Sequence, residues 1–199
     1  MRSAVIAGGR ASRFDGRAKG LELVGGERIL DRVVSALEEA GGLPPVLIAN
    51  DSDAPNWIPG NTVVGDLIPD RGVLGGIYTA VSIEPSPVLV VAWDMPFIPS
   101  ELLRKLIQES HGYDVFLPAS NGPRGVEPLC GVYGPACAEP IRKQLETKNL
   151  KAIGFHDQVK TAYLPLEQVA QFGATEKLFF NVNNVEDLRK AEDTWLARA

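Results

Sequence analysis

The sequence predicts a three-layer α/β domain built on a mostly parallel twisted sheet. Two observations carry that prediction. Short apolar runs occur at Ala4-Val5-Ile6-Ala7, Val46-Leu47-Ile48-Ala49 and Val88-Leu89-Val90-Val91-Ala92, and continuous runs of this kind mark strands buried on both faces. Between them lie segments whose apolar residues recur at helical spacing, and strands alternating with helices call for crossover connections. The 199 residues suit one domain spanning 1–199.

Taken in order, Ala4–Ala7 is the first buried strand, broken by Gly8-Gly9. Leu21–Val24 alternates as a short extended piece. Ile29, Val33, Val34, Leu37 and Ala40 form one helical face, which Gly41-Gly42 closes. Val46–Ala49 is a second strand, followed by the polar loop Asn50-Asp51-Ser52-Asp53. Thr62-Val63-Val64 is a third, ending at Gly65-Asp66. Asp70 to Gly76 reads as a glycine-rich turn leading into a helix with Ile77, Ala80 and Val81. Val88–Ala92 is the most apolar run and the expected sheet centre. Trp93-Asp94-Met95-Pro96 ends it, and Pro99 sits near the first turn of the next helix. Asp114–Pro118 and Glu127–Tyr133 read as strands, with a turn at Ser120 to Arg124. Pro135–Leu145 reads as a helix, Leu150–His156 as a short helix and Val159–Leu164 as an edge strand. Phe179–Asn184 reads as extended, and a last helix runs from Val185 to about Ala197.

In open α/β sheets, ligands bind beyond the carboxyl ends of the strands. Gly8 to Lys19, Asn50, Asp66 and Asp94 each follow a strand-like run, so parallel strands bring them to one edge. The first of these loops carries Arg10, Arg13, Arg17 and Lys19 against the single Asp15, on a chain whose net charge is −5. Glycines allow close backbone approach and point N–H groups at a ligand, so a cationic loop after Gly8-Gly9 reads as a phosphate site. It is neither of two familiar phosphate loops: G-x-G-x-x-G is absent, and so is G-x-x-x-x-G-K-[ST]. An acid directly after a central hydrophobic strand needs a partner. For Asp94 the readings are a turn aspartate before Pro96 or a ligand of Mg²⁺, which takes one or two carboxylates and fills its shell with phosphate oxygens and water. A carboxylate facing phosphate-binding cations suits phosphoryl or nucleotidyl transfer. Arg13 and Lys19 are the candidates to neutralise a leaving pyrophosphate.

Composition narrows the classes further. Hydrophobic residues at 45% and charged residues at 23% are ordinary for a globular chain, and the mild acidity argues against a nucleic-acid partner. No apolar run approaches the roughly 20 residues of a membrane span, and no secretory leader is legible, so a cytoplasmic protein without membrane attachment is expected. Cys130 and Cys137 match no metal spacing and give no disulfide framework; His111 and His156 are isolated.

Four segments resemble one family. Ala7-Gly8-Gly9-x-x-x-Arg13 with Gly16 and Lys19 looks like the signature loop of the MobA-like nucleotidyltransferases. Gly72-Val73-Leu74-Gly75-Gly76 resembles that family's Gly-Pro-Leu-x-Gly, and Asp94-Met95-Pro96-Phe97 its Cys-Asp-x-Pro-Phe. Asn181-Val182-Asn183 with Glu186-Asp187-Leu188 resembles its C-terminal ending. The four motifs stand in order from residue 4 to 188. The resemblance implies a Rossmann-like fold of the nucleotide-diphospho-sugar transferase type, with residues 1–110 binding nucleotide and 111–199 the acceptor. It implies transfer of GMP from GTP to Mo-molybdopterin with release of pyrophosphate, on Mg²⁺ or Mn²⁺. By that similarity Ile6, Ala7, Gly8, Gly9, Asn50 and Asp66 serve GTP. Arg13 and Lys19 serve the phosphates, Asp94 holds the metal, and Glu127, Asn181 and Asn183 meet the acceptor. Other proteins of molybdenum cofactor biosynthesis become transient partners, and a monomer is expected. Gly8-Gly9 rather than Ala-Gly favours guanine over cytosine.

The departures are Phe14-Asp15 in the loop, Ala18 where an aspartate often precedes the lysine, Val73 for proline, Trp93 for cysteine and Glu127-Pro128 for His-Pro. Rival readings are a molybdopterin cytidylyltransferase, a sugar-1-phosphate nucleotidyltransferase, and a nucleotide-binding adaptor without activity.

Overall fold

A computed structural model describes residues 1–8, 13–14, 17–147 and 149–197, without the side chains of residues 13, 14 and 17. Among these residues a seven-stranded sheet is formed by β1 (Arg2–Ile6), β2 (Val46–Ile48), β3 (Val63–Val64), β4 (Val88–Ala92), β5 (Val115–Pro118), β6 (Cys130–Tyr133) and β7 (Thr161–Leu164). Their spatial order is β7-β5-β6-β4-β1-β2-β3. Every pairing is parallel except the two made by β6, which runs antiparallel to β4 and β5. The predicted mostly parallel sheet is therefore present, with one strand reversed.

Alternation along the strands sorts the core into two layers. Val5, Leu47, Leu89, Val91, Phe116 and Val132 point to one face, where α1 (Ile29–Gly41) and α3 (Ser100–Glu109) pack with Leu30, Leu37, Leu103 and Leu106. Ala4, Ile6, Ile48, Val88, Val90 and Leu117 point to the other, against α2 (Gly72–Ile83) and α4 (Ala138–Glu146), through Leu74, Ile77, Ile141 and Leu145. All five residues of β4 are buried, as expected of a strand covered on both faces. Gly42 ends α1 at φ 74°, a left-handed cap that glycine adopts without strain.

Two one-turn helices, α5 (Leu166–Val169) and α6 (Thr175–Leu178), precede α7 (Val185–Leu196). The latter packs Ala191 with Val24, Ile29, Phe97 and Val182 in a third small core. Arg32 clamps this corner: it donates to the Val24 carbonyl at 2.6 Å through Nη2 and lies 3.8 Å over the Trp195 ring.

Four segments differ from the sequence reading. Gly72 to Gly76 is not a turn but the opening of α2; the turn precedes it at Asp70, φ 60°, and Gly72 enters the helix at φ 56°. Glu127–Leu129 stands outside β6, folded back as Glu127 accepts the Leu129 N–H. Leu150–His156 forms successive turns rather than a helix, because Gln144 Nε2 ties down the Asn149 and Lys151 carbonyls at 3.0 and 2.7 Å. Phe179 closes α6 as a turn residue rather than an extended one, and the segment through Asn184 forms no strand among the described residues. Among the described residues no helix is long and apolar enough to cross a membrane.

Candidate active site

The carboxyl ends of β1, β2, β3 and β4 share one sheet edge and deliver Gly8, Asn50, Asp66 and Asp94 to it. The reversed strand adds a further contribution. Because β6 runs antiparallel, it starts where β4 ends: Cys130 pairs with Val91, and Ala92 N–H donates to the Leu129 carbonyl at 2.9 Å. Glu127-Pro128-Leu129 is thereby brought beside Asp94.

Two cavities open at this edge. One, of about 830 Å³, is lined by Lys19, Asp94, Arg124, Glu127, Asn181 and Asn183 among others. The second, of about 740 Å³, is lined by Ala7, Asn50, Trp57, Asp66, Asp70 and Gly76. Ile6, Gly8, Gly72 and Leu150 line both, so the cavities meet at the end of β1 and the first residue of α2. Among the described residues a methyl group at Gly8 would meet nothing within 4 Å. At Gly76 it would strike Ile6 Cγ2 at 2.8 Å, so only glycine lets α2 lie this close to β1.

In the lining of the first cavity Lys19 Nζ donates to Asp94 Oδ2 at 2.5 Å and to Asn183 Oδ1 at 3.0 Å. Both members of the ion pair are buried. Their setting is held from three sides. Lys19 opens a one-turn 3₁₀ segment, Lys19–Leu21, directly after the hairpin in which Arg13–Phe14 pairs with Arg17–Ala18. Gly20 sits against the Trp93 ring, which stacks on Trp57 with centroids 5.1 Å apart. Asn183 is fixed by its neighbours: Val182 N–H donates to the Asp94 carbonyl at 2.9 Å, and Asn183 N–H donates to Asp187 Oδ2 at 3.0 Å. Asp187 N–H in turn donates to Asn184 Oδ1, which caps α7. The C-terminal motif thus has a mechanical purpose, which is to hold Asn183 against Lys19.

In the second cavity Asn50 and Asp66 are coupled. Asn50 Nδ2 donates to Asp66 Oδ2 at 2.7 Å, while Asp66 N–H donates to Asn50 Oδ1 at 2.8 Å. Burial raises the Asp66 carboxyl above its ordinary pKa, partly offset by the Asn50 bond. The buried Thr79 hydroxyl accepts the Leu67 N–H at 2.9 Å and fixes the turn that carries Asp66. Glu127 is likewise raised by burial, with the Arg124 guanidinium pulling the other way.

The structure therefore gathers Ile6, Ala7, Gly8, Lys19, Asn50, Asp66, Asp94, Glu127, Asn181 and Asn183 around adjoining cavities. Gly9, Arg10 and the side chains of Arg13 and Arg17 lie outside the described residues. The sequence reading did not assign Arg71, Arg124, Lys151 or the Trp57–Trp93 stack, all of which line or border the cavities. They sit on turns after or between strands, where no periodicity marks them. The Cys130 and Cys137 thiols are buried, and that burial raises both, Cys137 to about 12, which disfavours the thiolate form.

Comparison with known proteins identifies the family. A probable molybdenum cofactor guanylyltransferase of Pelotomaculum thermopropionicum is 37% identical over 188 residues, covering 94% of this chain and 89% of the relative. Another, of Carboxydothermus hydrogenoformans, is 33% identical, covering 94% and 92%. The crystal structure of molybdopterin-guanine dinucleotide biosynthesis protein A from Archaeoglobus fulgidus superposes with a TM-score of 0.80 at 25% identity, covering all of both chains. The MobA-like NTP transferase domain matches residues 3–160, and the chain belongs to that family of nucleotidyltransferases.

Proposed function

We infer that this protein transfers GMP from GTP to Mo-molybdopterin, releasing pyrophosphate. The observation that carries the reading is the junction of the cavities: a buried Lys19–Asp94 pair stands in one of them, and Gly8 and Gly72 open onto both. A nucleotide in the Asn50–Asp66 cavity would extend its phosphates across Gly8 and the amino-terminal turn of α2, where unpaired backbone N–H groups favour anions. The acceptor would approach through the Glu127–Asn181–Asn183 cavity. Residues from about 1 to 110 then serve the nucleotide, and residues from 111 onward serve the acceptor, with Lys19 between them.

In this arrangement the acceptor phosphate attacks the α-phosphorus of GTP in line, forming one P–O bond as the bond to pyrophosphate breaks. Little covalent help is needed. Alignment and charge neutralisation supply most of the barrier reduction. Lys19 offers a point charge to the phosphates, and Asn183 steers its ammonium. Among the described residues no group of three His, Cys, Asp or Glu side chains forms a ready metal cage. A single buried carboxylate beside a phosphate path nonetheless fits Mg²⁺, which draws most ligands from phosphate and water. Asp94 would hold it, and the ion would supply neutralisation of the charge growing on pyrophosphate.

A binding titration with GTP, CTP and UTP in Mg²⁺ tests the nucleotide assignment. GTP is expected to bind at least about tenfold more tightly than either pyrimidine nucleotide. Tighter binding of CTP would replace this reading with cytidylyl transfer.

A further inference from the structure

We propose that Glu127 reads the acceptor's heterocycle, its carboxylate accepting the adjacent ring N–H and exocyclic amino N–H of a 2-amino-4-oxopyrimidine edge. The proposal rests on the acceptor reading above and deepens it. A carboxylate and such an edge match as two parallel acceptors and two parallel donors, the geometry that makes bidentate pairs strong.

Four observations place that chemistry at Glu127. The side chain lines the first cavity together with Pro128, Leu129, Ala152 and Ile153, so an apolar wall flanks this carboxylate, while the cavity's other carboxylate, Asp94, is taken up by Lys19. That composition suits a flat ring with one polar edge. The carboxylate is also held rigidly. Glu127 N–H donates to the Pro118 carbonyl at 3.1 Å, and the buried Tyr133 hydroxyl donates to the Pro128 carbonyl at 2.7 Å. Oε1 accepts the Leu129 N–H at 3.0 Å, and Oε2 accepts no hydrogen bond among the described residues. Finally, the carboxylate is partly desolvated, so an unpaired N–H brought against it is worth more than in water.

Guanine carries the same donor edge as the pterin, so the shared chemistry has two sources. The other cavity holds its own half-buried carboxylate, Asp66, braced by Asn50. Each cavity therefore offers a partly buried carboxylate outside the Lys19–Asp94 pair, and the product carries two such edges. Glu127 stands on the acceptor side with Asn181 and Asn183, which assigns it to the pterin.

The test uses Glu127→Gln. Glutamine keeps the Oε1 acceptor for Leu129 N–H and so preserves the turn. It replaces Oε2 with an NH₂ group, which faces donors with a donor. Pterin and lumazine, whose 2-oxo group replaces the 2-amino group, serve as fluorescent probes of binding, beside KM for molybdopterin and Kd for GTP. The wild-type protein is expected to prefer pterin to lumazine by at least about tenfold. Glu127→Gln should abolish or reverse that preference, raise the molybdopterin KM by about tenfold or more, and leave the GTP Kd within about twofold. An unchanged pterin-to-lumazine ratio in the variant overturns the proposal. So does a raised GTP Kd with an unchanged acceptor KM, which would assign the carboxylate to guanine. Should the variant fail to fold, equal binding of the two probes by the wild-type protein overturns it alone. Absence of GMP transfer by the wild-type protein would instead overturn the acceptor reading on which the proposal stands.

Discussion

Lys19 and Asp94, 75 residues apart in sequence, meet at 2.5 Å with each side chain only 8% exposed. Neither charge would be tolerated there alone. Burying an unpaired ammonium or carboxylate costs several kcal/mol, while a well-placed pair roughly breaks even with an apolar replacement. The pair is therefore a poor stabilising device and a good functional one. It keeps a cation and an anion desolvated in the first cavity, which meets the second at Gly8 and Gly72.

The first prediction is a double-mutant cycle. Lys19→Met and Asp94→Leu should each destabilise the fold by about 3–5 kcal/mol, because each strands the other charge. The double variant should recover most of that loss. All three should lose turnover by at least about a hundredfold. Urea unfolding with parallel activity measurements checks both halves. A double variant as unstable as the sum of the singles would show that the charges do not act as a buried pair.

A second prediction separates capping from positioning at the start of α7. Asn184→Ala removes the side-chain cap and should cost about 1 kcal/mol of stability with little change in acceptor KM. Asp187→Ala keeps that cap, whose donor is the backbone N–H of residue 187, but frees the Asn183 N–H, so it should raise the acceptor KM by about fivefold beyond any loss of stability. Equal kinetic effects would leave Asn183 without a positioning partner.

Gly20→Ala tests the aromatic support beneath Lys19. Its Cβ would lie 2.4 Å from the Trp93 ring, and that ring is backed by Trp57. Overpacking of this kind costs about 1–3 kcal/mol. Because the adjacent residue is Lys19, GTP affinity should fall along with stability, as a titration would report. Unchanged GTP affinity would uncouple the Trp93 contact from the phosphate site.

These tests bear mostly on features that local sequence reading cannot supply. Val88–Ala92, Ile29–Gly41 and the strand-end positions of Asn50, Asp66 and Asp94 were legible because burial on both sheet faces and the helical period leave plain patterns. The opening of α2 was not: Gly72 to Gly76 has the composition of a turn, yet tertiary contact with Ile6 requires glycine inside a helix. The Leu150–His156 turns depend on Gln144 capturing two carbonyls, a long-range bond that helical spacing does not signal. The role of Asp187 was visible only as part of a motif, since its partner is a backbone N–H positioned by the fold. Glu127 was placed in a strand, whereas the reversal of β6 puts it at the mouth of the acceptor cavity.

The pH dependence of stability should be dominated on the mildly acidic side by His156. Burial lowers its pKa from 6.5 to about 4, and its Nε2 finds no partner among the described residues. Below about pH 6.5 the unfolded chain binds a proton that the folded chain refuses, so stability falls as pH drops. The loss should level off below about pH 4, when both states are protonated. After allowance for solvent screening the loss is of the order of 1–2 kcal/mol. His156→Phe should flatten that part of the profile. A variant profile as steep as the wild-type one would move the effect to other groups.

The central claim is that the two cavities hold a nucleoside triphosphate and a phosphorylated pterin, joined across Lys19 and Asp94. Its most direct test is a single-turnover reaction of the purified protein with GTP, Mg²⁺ and Mo-molybdopterin, following pyrophosphate and the guanine dinucleotide together. The account predicts equal amounts of both products, dependent on divalent metal and lost in Asp94→Asn. Formation of neither product, or the same yield from Asp94→Asn as from the wild-type protein, would contradict it.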